Sequence, residues 1–427
     1  MKLLIKNGKV VNPKGKSGNL DILVENDKIV KIDTNITDDE ARVIDATGLT
    51  VMPGLIDMHV HLREPGFEYK EDILTGTRAC ANGGMTAVVC MPNTKPVLDS
   101  GAMMDYVINR AKECGYTKVY PTGCISKGML GEELAEMGDM HKHGAVAFTD
   151  DGRPVMNSNL MKNAMQYAKN FDTLLISHCE DLNLVDGGVM NEGFVSTILG
   201  LRGNIRTAEE NHISREILLA NALNTKVHIA HVSTKGGVEM IRHAKKMGVR
   251  VTAETAPHYF ACTEEWVKGY NTNAKVNPPL RTEEDRLAII EGIKDGTLDC
   301  VITDHAPHHN DEKEIEFNLA LNGISGVETS FAATYTYLVK TGEITMDELV
   351  NIMSVRPAEI LKLEGGVLEE GKAADITIVD ENKVWTVTVD DLKSKGKNCI
   401  FLDHELTGKP AYTIIDGRVM LDNYILQ

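Results

Sequence analysis

Between residues 53 and 364, eight short β-branched runs alternate with longer stretches of helical period, and no other feature of the chain constrains its fold as strongly. The first four runs are Leu55-Ile56-Asp57-Met58-His59, Thr86-Ala87-Val88-Val89-Cys90, Lys118-Val119-Tyr120-Pro121 and Ala145-Val146-Ala147-Phe148. The others are Leu174-Leu175-Ile176-Ser177, Lys226-Val227-His228-Ile229-Ala230, Val249-Arg250-Val251-Thr252-Ala253 and Asp299-Cys300-Val301-Ile302-Thr303. The segments between them, such as Thr207 to Leu223 and Gly236 to Met247, are amphipathic and suit helical crossovers between parallel strands. Eight such units fit a (β/α)8 barrel, an α/β fold. A doubly wound open sheet ranks second, because it lacks an obvious phosphate-binding glycine turn here.

The two ends are written differently. Residues 1–52 alternate short β-like runs with turns: Leu3-Leu4-Ile5, Asn7-Gly8, Val10-Val11, Asp21-Ile22-Leu23-Val24, then Asn26-Asp27 turning into Ile29-Val30-Lys31-Ile32. Residues 365–427 resume the style with Asp375-Ile376-Thr377-Ile378-Val379 and Tyr412-Thr413-Ile414-Ile415. Neither set buries much apolar surface alone, so the two are expected to pair into one small β-sandwich beside a barrel of residues 53–364.

The chemistry falls where each run stops. His59, His61 and Arg63 follow the first run, Asn93 the second, and Asp150 and Asp151 the fourth. The fifth ends in His178, the sixth in His231, the seventh near Glu254, and the eighth in Asp304, followed by His305 and His308. Barrel enzymes gather their reactive side chains at the C-terminal ends of the strands. His59 and His61 share a face because strand side chains alternate with period two. An isolated H-x-H is more often two ordinary histidines, but in register with His178, His231 and Asp304 it reads as a metal site. Four imidazoles and two carboxylates exceed the needs of one tetrahedral zinc and fit two ions sharing a bridging ligand.

Pro53-Gly54-Leu55-Ile56-Asp57-Met58-His59-Val60-His61-Leu62-Arg63-Glu64-Pro65-Gly66 strongly resembles the dihydroorotase signature of the cyclic amidohydrolase superfamily. Thr303-Asp304-His305-Ala306-Pro307-His308, followed by Glu312-Lys313, resembles that family's second signature. The flanking β sections match the composite small domain of such enzymes, and the likeness is greatest to class I bacterial dihydroorotases. The resemblance implies reversible closure of N-carbamoyl-L-aspartate to L-dihydroorotate in de novo pyrimidine (UMP) synthesis. It puts His59, His61 and Asp304 on one zinc and His178 and His231 on the other, with Asp151 as bridge, two ions per subunit. Many relatives bridge with a carboxylated lysine, which Phe148-Thr149-Asp150-Asp151-Gly152 does not offer. Period two says only that one of Asp150 and Asp151 faces inward; the family pattern favours Asp151.

The mechanism implied is attack by a hydroxide formed between the metals, with Asp304 as general acid and base. Arg63 is expected to hold the substrate carboxylate, with Asn93, Asn277 and His308 as further contacts beside His61. Asn322-Gly323 lies where the family touches substrate through backbone groups, although the preceding residues depart from its usual pattern. The polar segment 308–316 reads as a mobile lid. Glu254 and His258 read at least as well as structural hydrogen-bonding groups, His141 and His143 as solvent-facing, and 200–206 as a loop.

Lys+Arg 45 against Asp+Glu 62 gives a net charge of -17, which disfavours nucleic acid and anionic membranes but not a small anion held by a local arginine. The start of the chain has too short an apolar run for a signal peptide, and the eight cysteines are scattered without a C-x-x-C pair. A cytoplasmic enzyme with reduced thiols is expected, a homodimer by family habit, with association with aspartate transcarbamoylase open. Two other readings stand: another cyclic amidohydrolase (hydantoinase, dihydropyrimidinase or allantoinase), or a non-catalytic dihydroorotase-like subunit of aspartate transcarbamoylase.

Overall fold

A computed structural model describes residues 2–427. The eight expected runs form eight parallel strands: Leu55–Val60, Met85–Cys90, Lys118–Pro121, Ala147–Phe148, Leu174–Ser177, Val227–Ile229, Val251–Thr255 and Cys300–Val301. They are hydrogen-bonded as one set of three and one of five. Parallel bridges from Gly123 to Phe148 and from Val60 to His305 join the sets at both seams, and the His61 N–H donates to His305 O at 2.8 Å. The sheet therefore closes on itself, which excludes the doubly wound alternative.

Every residue of the first and second strands is buried, as required where helices cover the outside and side chains fill the inside. Helices such as Ile73–Asn82, Thr207–Leu223 and Lys235–Lys246 make the crossovers. The Ile73–Asn82 helix starts at a capping box in which Asp72 accepts from the Thr75 N–H at 2.7 Å. One apolar cluster runs through the barrel, including Met58, Phe148, Ile176 and Ile302.

The chain ends meet in a nine-stranded mixed sheet. Lys2–Val10 pairs antiparallel with Gly18–Glu25 and parallel with Arg42–Asp45 and Thr50–Pro53. Thr50–Pro53 then pairs antiparallel with Ile376–Thr386, which places Val51 opposite Ile378, and Glu405–Ile415 follows on the far side. The sheet has its own core, with Ile5, Ile22 and Val51 from one end against Ile376, Ile378 and Ile414 from the other. The segment 200–206, read as a loop, carries a two-residue strand, Gly203–Asn204, paired with Met190–Asn191. All eight cysteines are free, and no helix among the described residues is long and apolar enough to cross a membrane.

Candidate metal centre

Strand ends deliver the polar side chains, and three of them do so from strained backbone. Arg63, His231 and Asp304 have φ of 62°, 32° and 47°. A left-handed residue without glycine's freedom costs about 1–3 kcal/mol, and such conformations gather at functional sites. Here each turn sends a side chain into the mouth two or three residues after its strand has ended.

His59 and His61 point their Nε2 atoms into one place. The His59 Nδ1–H donates to Glu254 Oε1 at 2.7 Å, and the His61 Nδ1–H donates to Asn93 Oδ1 at 2.9 Å. Both acceptors fix the tautomer, leaving a lone pair on each Nε2. His59 Nε2 lies 3.4 Å from Asp151 Oδ1 and 3.6 Å from Asp304 Oδ1. His61 Nε2 lies 3.0 Å from Asp304 Oδ1 and 3.4 Å from Asp151 Oδ2. On the other side of Asp151, its Oδ1 is 3.5 Å from both His178 Nδ1 and His231 Nε2, which approach each other to 2.8 Å.

Lone pairs facing carboxylates repel unless a cation or proton stands between them. His59 Nε2 and Asp151 Oδ1 are fully buried and make no hydrogen bond. Donors at about 2.0–2.1 Å from a tetrahedral zinc are about 3.3–3.4 Å apart, close to the spacings here. Two groups, His59–His61–Asp151 and Asp151–His178–His231, hold their donor atoms within 4.8 Å and share Asp151. The residues therefore fit a metal centre of imidazole and carboxylate donors. A third group, His228, Glu254 and Cys300, does not. Burial, with Glu254 and Asp299 nearby, pushes the Cys300 thiol well above 9, and both His228 nitrogens are engaged, with Glu254 at 3.0 Å and Thr252 at 2.8 Å.

The electrostatics express the same demand for positive charge. Burial opposes an imidazolium at His59, but Asp151 and Glu254 outweigh it and hold the ring well above its usual 6.5. His178 is lifted to about 10 against burial by Asp151 and Glu180. Asp151 is held well below the carboxylate range, burial opposing, by His59, His178 and His231, and Asp304 likewise by His61 and His59. Glu254 is held at about 2, against burial, by His59 and His228.

Asp150 and Asp151 face opposite ways. Asp150 accepts the Ile125 and Ser126 N–H groups at 2.8 and 3.1 Å and braces a neighbouring loop. The expected substrate contacts line a cavity of about 180 Å³ over the cluster, including Arg63, Asn93, Asn277, His308, Asn322 and Gly323. Arg63 Nε–H donates to Pro307 O at 3.2 Å, and one terminal nitrogen lies 3.4 Å from His308 Nε2 at the cavity wall. Asn277 Nδ2 donates to Glu180 Oε2 at 3.1 Å, and that oxygen also lies 3.3 Å from His178 Nε2.

Glu180 and Glu254 were not among the residues expected in the site. Glu180 stands two beyond His178, as His61 stands two beyond His59, and the same period would have found it. His258 is buried, with burial pulling it to about 4, and its Nε2 has no partner. His141 and His143 are exposed. The expected lid is in part a short helix, Asn310–Lys313, with its last side chain buried.

Comparison with known proteins bears on the family and the fold. The family described as dihydro-orotase-like matches residues 48–237. The chain is 55% identical over 427 residues to a dihydroorotase of Ruminiclostridium cellulolyticum, covering 100% of both, and 53% identical over 425 residues to one of Acetivibrio thermocellus, covering 99% and 100%. Among solved structures, the L-hydantoinase (dihydropyrimidinase) of Arthrobacter aurescens superposes with a TM-score of 0.91 at 25% identity, over 100% of this chain and 97% of that one. The dihydropyrimidinase of Brevibacillus agri gives 0.87 at 22%, over 100% and 96%, a likeness of fold alone.

Proposed function

Since this chain belongs to the dihydroorotase family, we propose that it interconverts N-carbamoyl-L-aspartate and L-dihydroorotate, the ring-closing step of de novo pyrimidine (UMP) synthesis. It is a hydrolase acting on cyclic amides. One observation carries the substrate reading: Arg63 lines the same small cavity as the imidazole–carboxylate cluster, so an amide and a carboxylate of one small molecule can be engaged together.

The proposed cofactor is two zinc ions, one with His59, His61 and Asp304, the other with His178 and His231, bridged by Asp151. Bound there, they supply Lewis acidity, acidifying a water and polarising the scissile carbonyl. The chain's own residues do the rest. Arg63 binds the substrate carboxylate through its terminal nitrogens, and Asn93, Asn277 and His308 set the remaining wall. Asp304, ionised at neutral pH, accepts the proton of the attacking water and delivers it to the departing ring nitrogen. In the synthetic direction it takes the proton from the carbamoyl nitrogen. Asp304→Ala is expected to keep measurable substrate binding and lose turnover by at least about 10²-fold; near-normal kcat would remove Asp304 from the mechanism.

A homodimer working in the cytoplasm completes the reading by family habit, with association with aspartate transcarbamoylase left open. The deciding experiment measures zinc per chain together with turnover of dihydroorotate, hydantoin and allantoin. Two zinc ions and a strong preference for dihydroorotate are expected. Equal turnover of hydantoin would favour a hydantoinase, and neither metal nor turnover would favour a non-catalytic subunit.

A further inference from the structure

Lys313 and Lys275 are 3% and 4% exposed, and neither forms an ion pair with a carboxylate among the described residues. A buried ammonium without a counter-ion is costly and persists only when its protons are fully used. Lys313 Nζ donates to Leu321 O at 2.8 Å, Gly323 O at 3.0 Å and Lys275 O at 3.4 Å, so three donors meet three backbone carbonyls. Lys275 Nζ donates to Phe317 O at 2.6 Å and Asn318 O at 3.1 Å, and the Gly323 N–H returns to Lys275 O at 2.9 Å. The two lysines thus take the carbonyls of Phe317, Asn318, Leu321 and Gly323.

The direction of these bonds matters more than their number. In a trans peptide the N–H points opposite to the C=O. Leu321 O turns toward the Lys313 ammonium, so the N–H of the same peptide, that of Asn322, turns away from it. That N–H has no acceptor among the described residues, and Asn322 lines the cavity over the metal cluster. Asn322 O is taken by His308, whose Nε2–H donates at 2.8 Å, and His308 Nε2 stands 3.4 Å from an Arg63 terminal nitrogen. Gly323 has no room for a side chain, since a Cβ would lie 2.7 Å from Ala306 Cβ.

We propose that Lys313, supported by Lys275, is a positioning residue for the substrate anion: its ammonium orients and polarises the Leu321-Asn322 peptide so that the Asn322 N–H joins Arg63 in binding a carboxylate. The ammonium withdraws charge through Leu321 O and makes the N–H a stronger donor. Burial, with Lys275 near, lowers Lys313 to about 7 and so works against the ammonium, which the three carbonyl acceptors favour. The inference rests on the proposed function for the identity of the anion, not for the clamp itself.

Two measurements test it. In the wild-type, metal-loaded enzyme, amide exchange should show Gly323 protected without ligand and Asn322 gaining protection only when the equilibrium mixture of L-dihydroorotate and N-carbamoyl-L-aspartate is added. An Asn322 amide that is unaffected by the mixture overturns the proposal. In Lys313→Met, protection at Gly323 should fall and KM for dihydroorotate should rise about tenfold, with kcat and zinc content near wild type. An unchanged KM, or a loss confined to kcat and metal, also overturns it. If that variant does not fold, Lys275→Met carries the same readout, and the wild-type exchange needs no variant. Absent wild-type turnover of dihydroorotate would fail the proposed function, while protection at Gly323 would still report the clamp.

Discussion

Asp150 and Asp151 are chemically identical neighbours with opposite duties, and the difference lies in which way one short strand end turns. Asp150 satisfies two loop N–H groups. Asp151 Oδ1 sits within 3.5 Å of three imidazole nitrogens and has no hydrogen bond. Asp151→Asn is therefore expected to lose bound metal while remaining folded, as judged by metal analysis and circular dichroism. Asp150→Asn should retain metal and lose about 1–3 kcal/mol of stability, the cost of weakened buried hydrogen bonds, read by urea titration of the loaded protein. The reverse pattern would assign the bridge to Asp150. Strand period alone left this choice open, because period two distinguishes faces but not which face is inside, and only the family resemblance favoured Asp151. Arg63 is the other residue-scale test. Arg63→Met should lower kcat/KM for dihydroorotate by at least about 10-fold, since hydrogen bonds to charged groups contribute about 1.5–3 kcal/mol. A wild-type specificity constant would remove the clamp.

At the scale of elements, what the sequence revealed was strand identity, and what it hid was cross-strand partnership. All eight runs became strands, yet the ladders at Ala147–Phe148 and Cys300–Val301 are only two residues long. At the eighth strand Ile302 and Thr303 fall outside the ladder just before the positive φ at Asp304, whereas at the fourth it is the first two residues of the run, Ala145 and Val146, that do. Glu254 shows what a linear reading misses. It belongs to the seventh strand but orients His59 on the first, and its other oxygen lies 3.0 Å from His228 Nε2 on the sixth. No spacing in the chain encodes that convergence; it appears only when the barrel closes. A carboxylate behind a ligating histidine fixes the tautomer and raises ligand basicity, so Glu254→Gln should weaken metal binding about 10–100-fold. Titration with a competing chelator measures this directly, and an unchanged affinity would reduce Glu254 to a packing role.

At the scale of the molecule, charge and topology each bear on the candidate site. A net charge of -17 surrounds a cavity walled by Arg63 and backed by Lys313 and Lys275, so local cations must overcome the general field to hold an anion. The small sheet is where the chain is least separable into parts. Its two halves were recognisable from their turns and alternation, but their order was not, because pairing between distant segments leaves no local trace. Thr50–Pro53 runs directly into the first barrel strand and pairs with Ile376–Val379 through Val51 opposite Ile378. Deleting residues 1–45 removes four strands, Lys2–Val10 through Arg42–Asp45, and uncovers Ile376, Ile378 and Ile414, all fully buried in the intact protein. It also leaves Thr50–Pro53 as a bare edge next to the strand that carries His59. An exposed apolar edge is a template for aggregation. The truncated chain should appear mainly in the insoluble fraction, and any soluble part should bind less metal, because the first strand loses its support. A soluble, fully metallated and active protein lacking residues 1–45 would show that the barrel holds its ligands without the sheet.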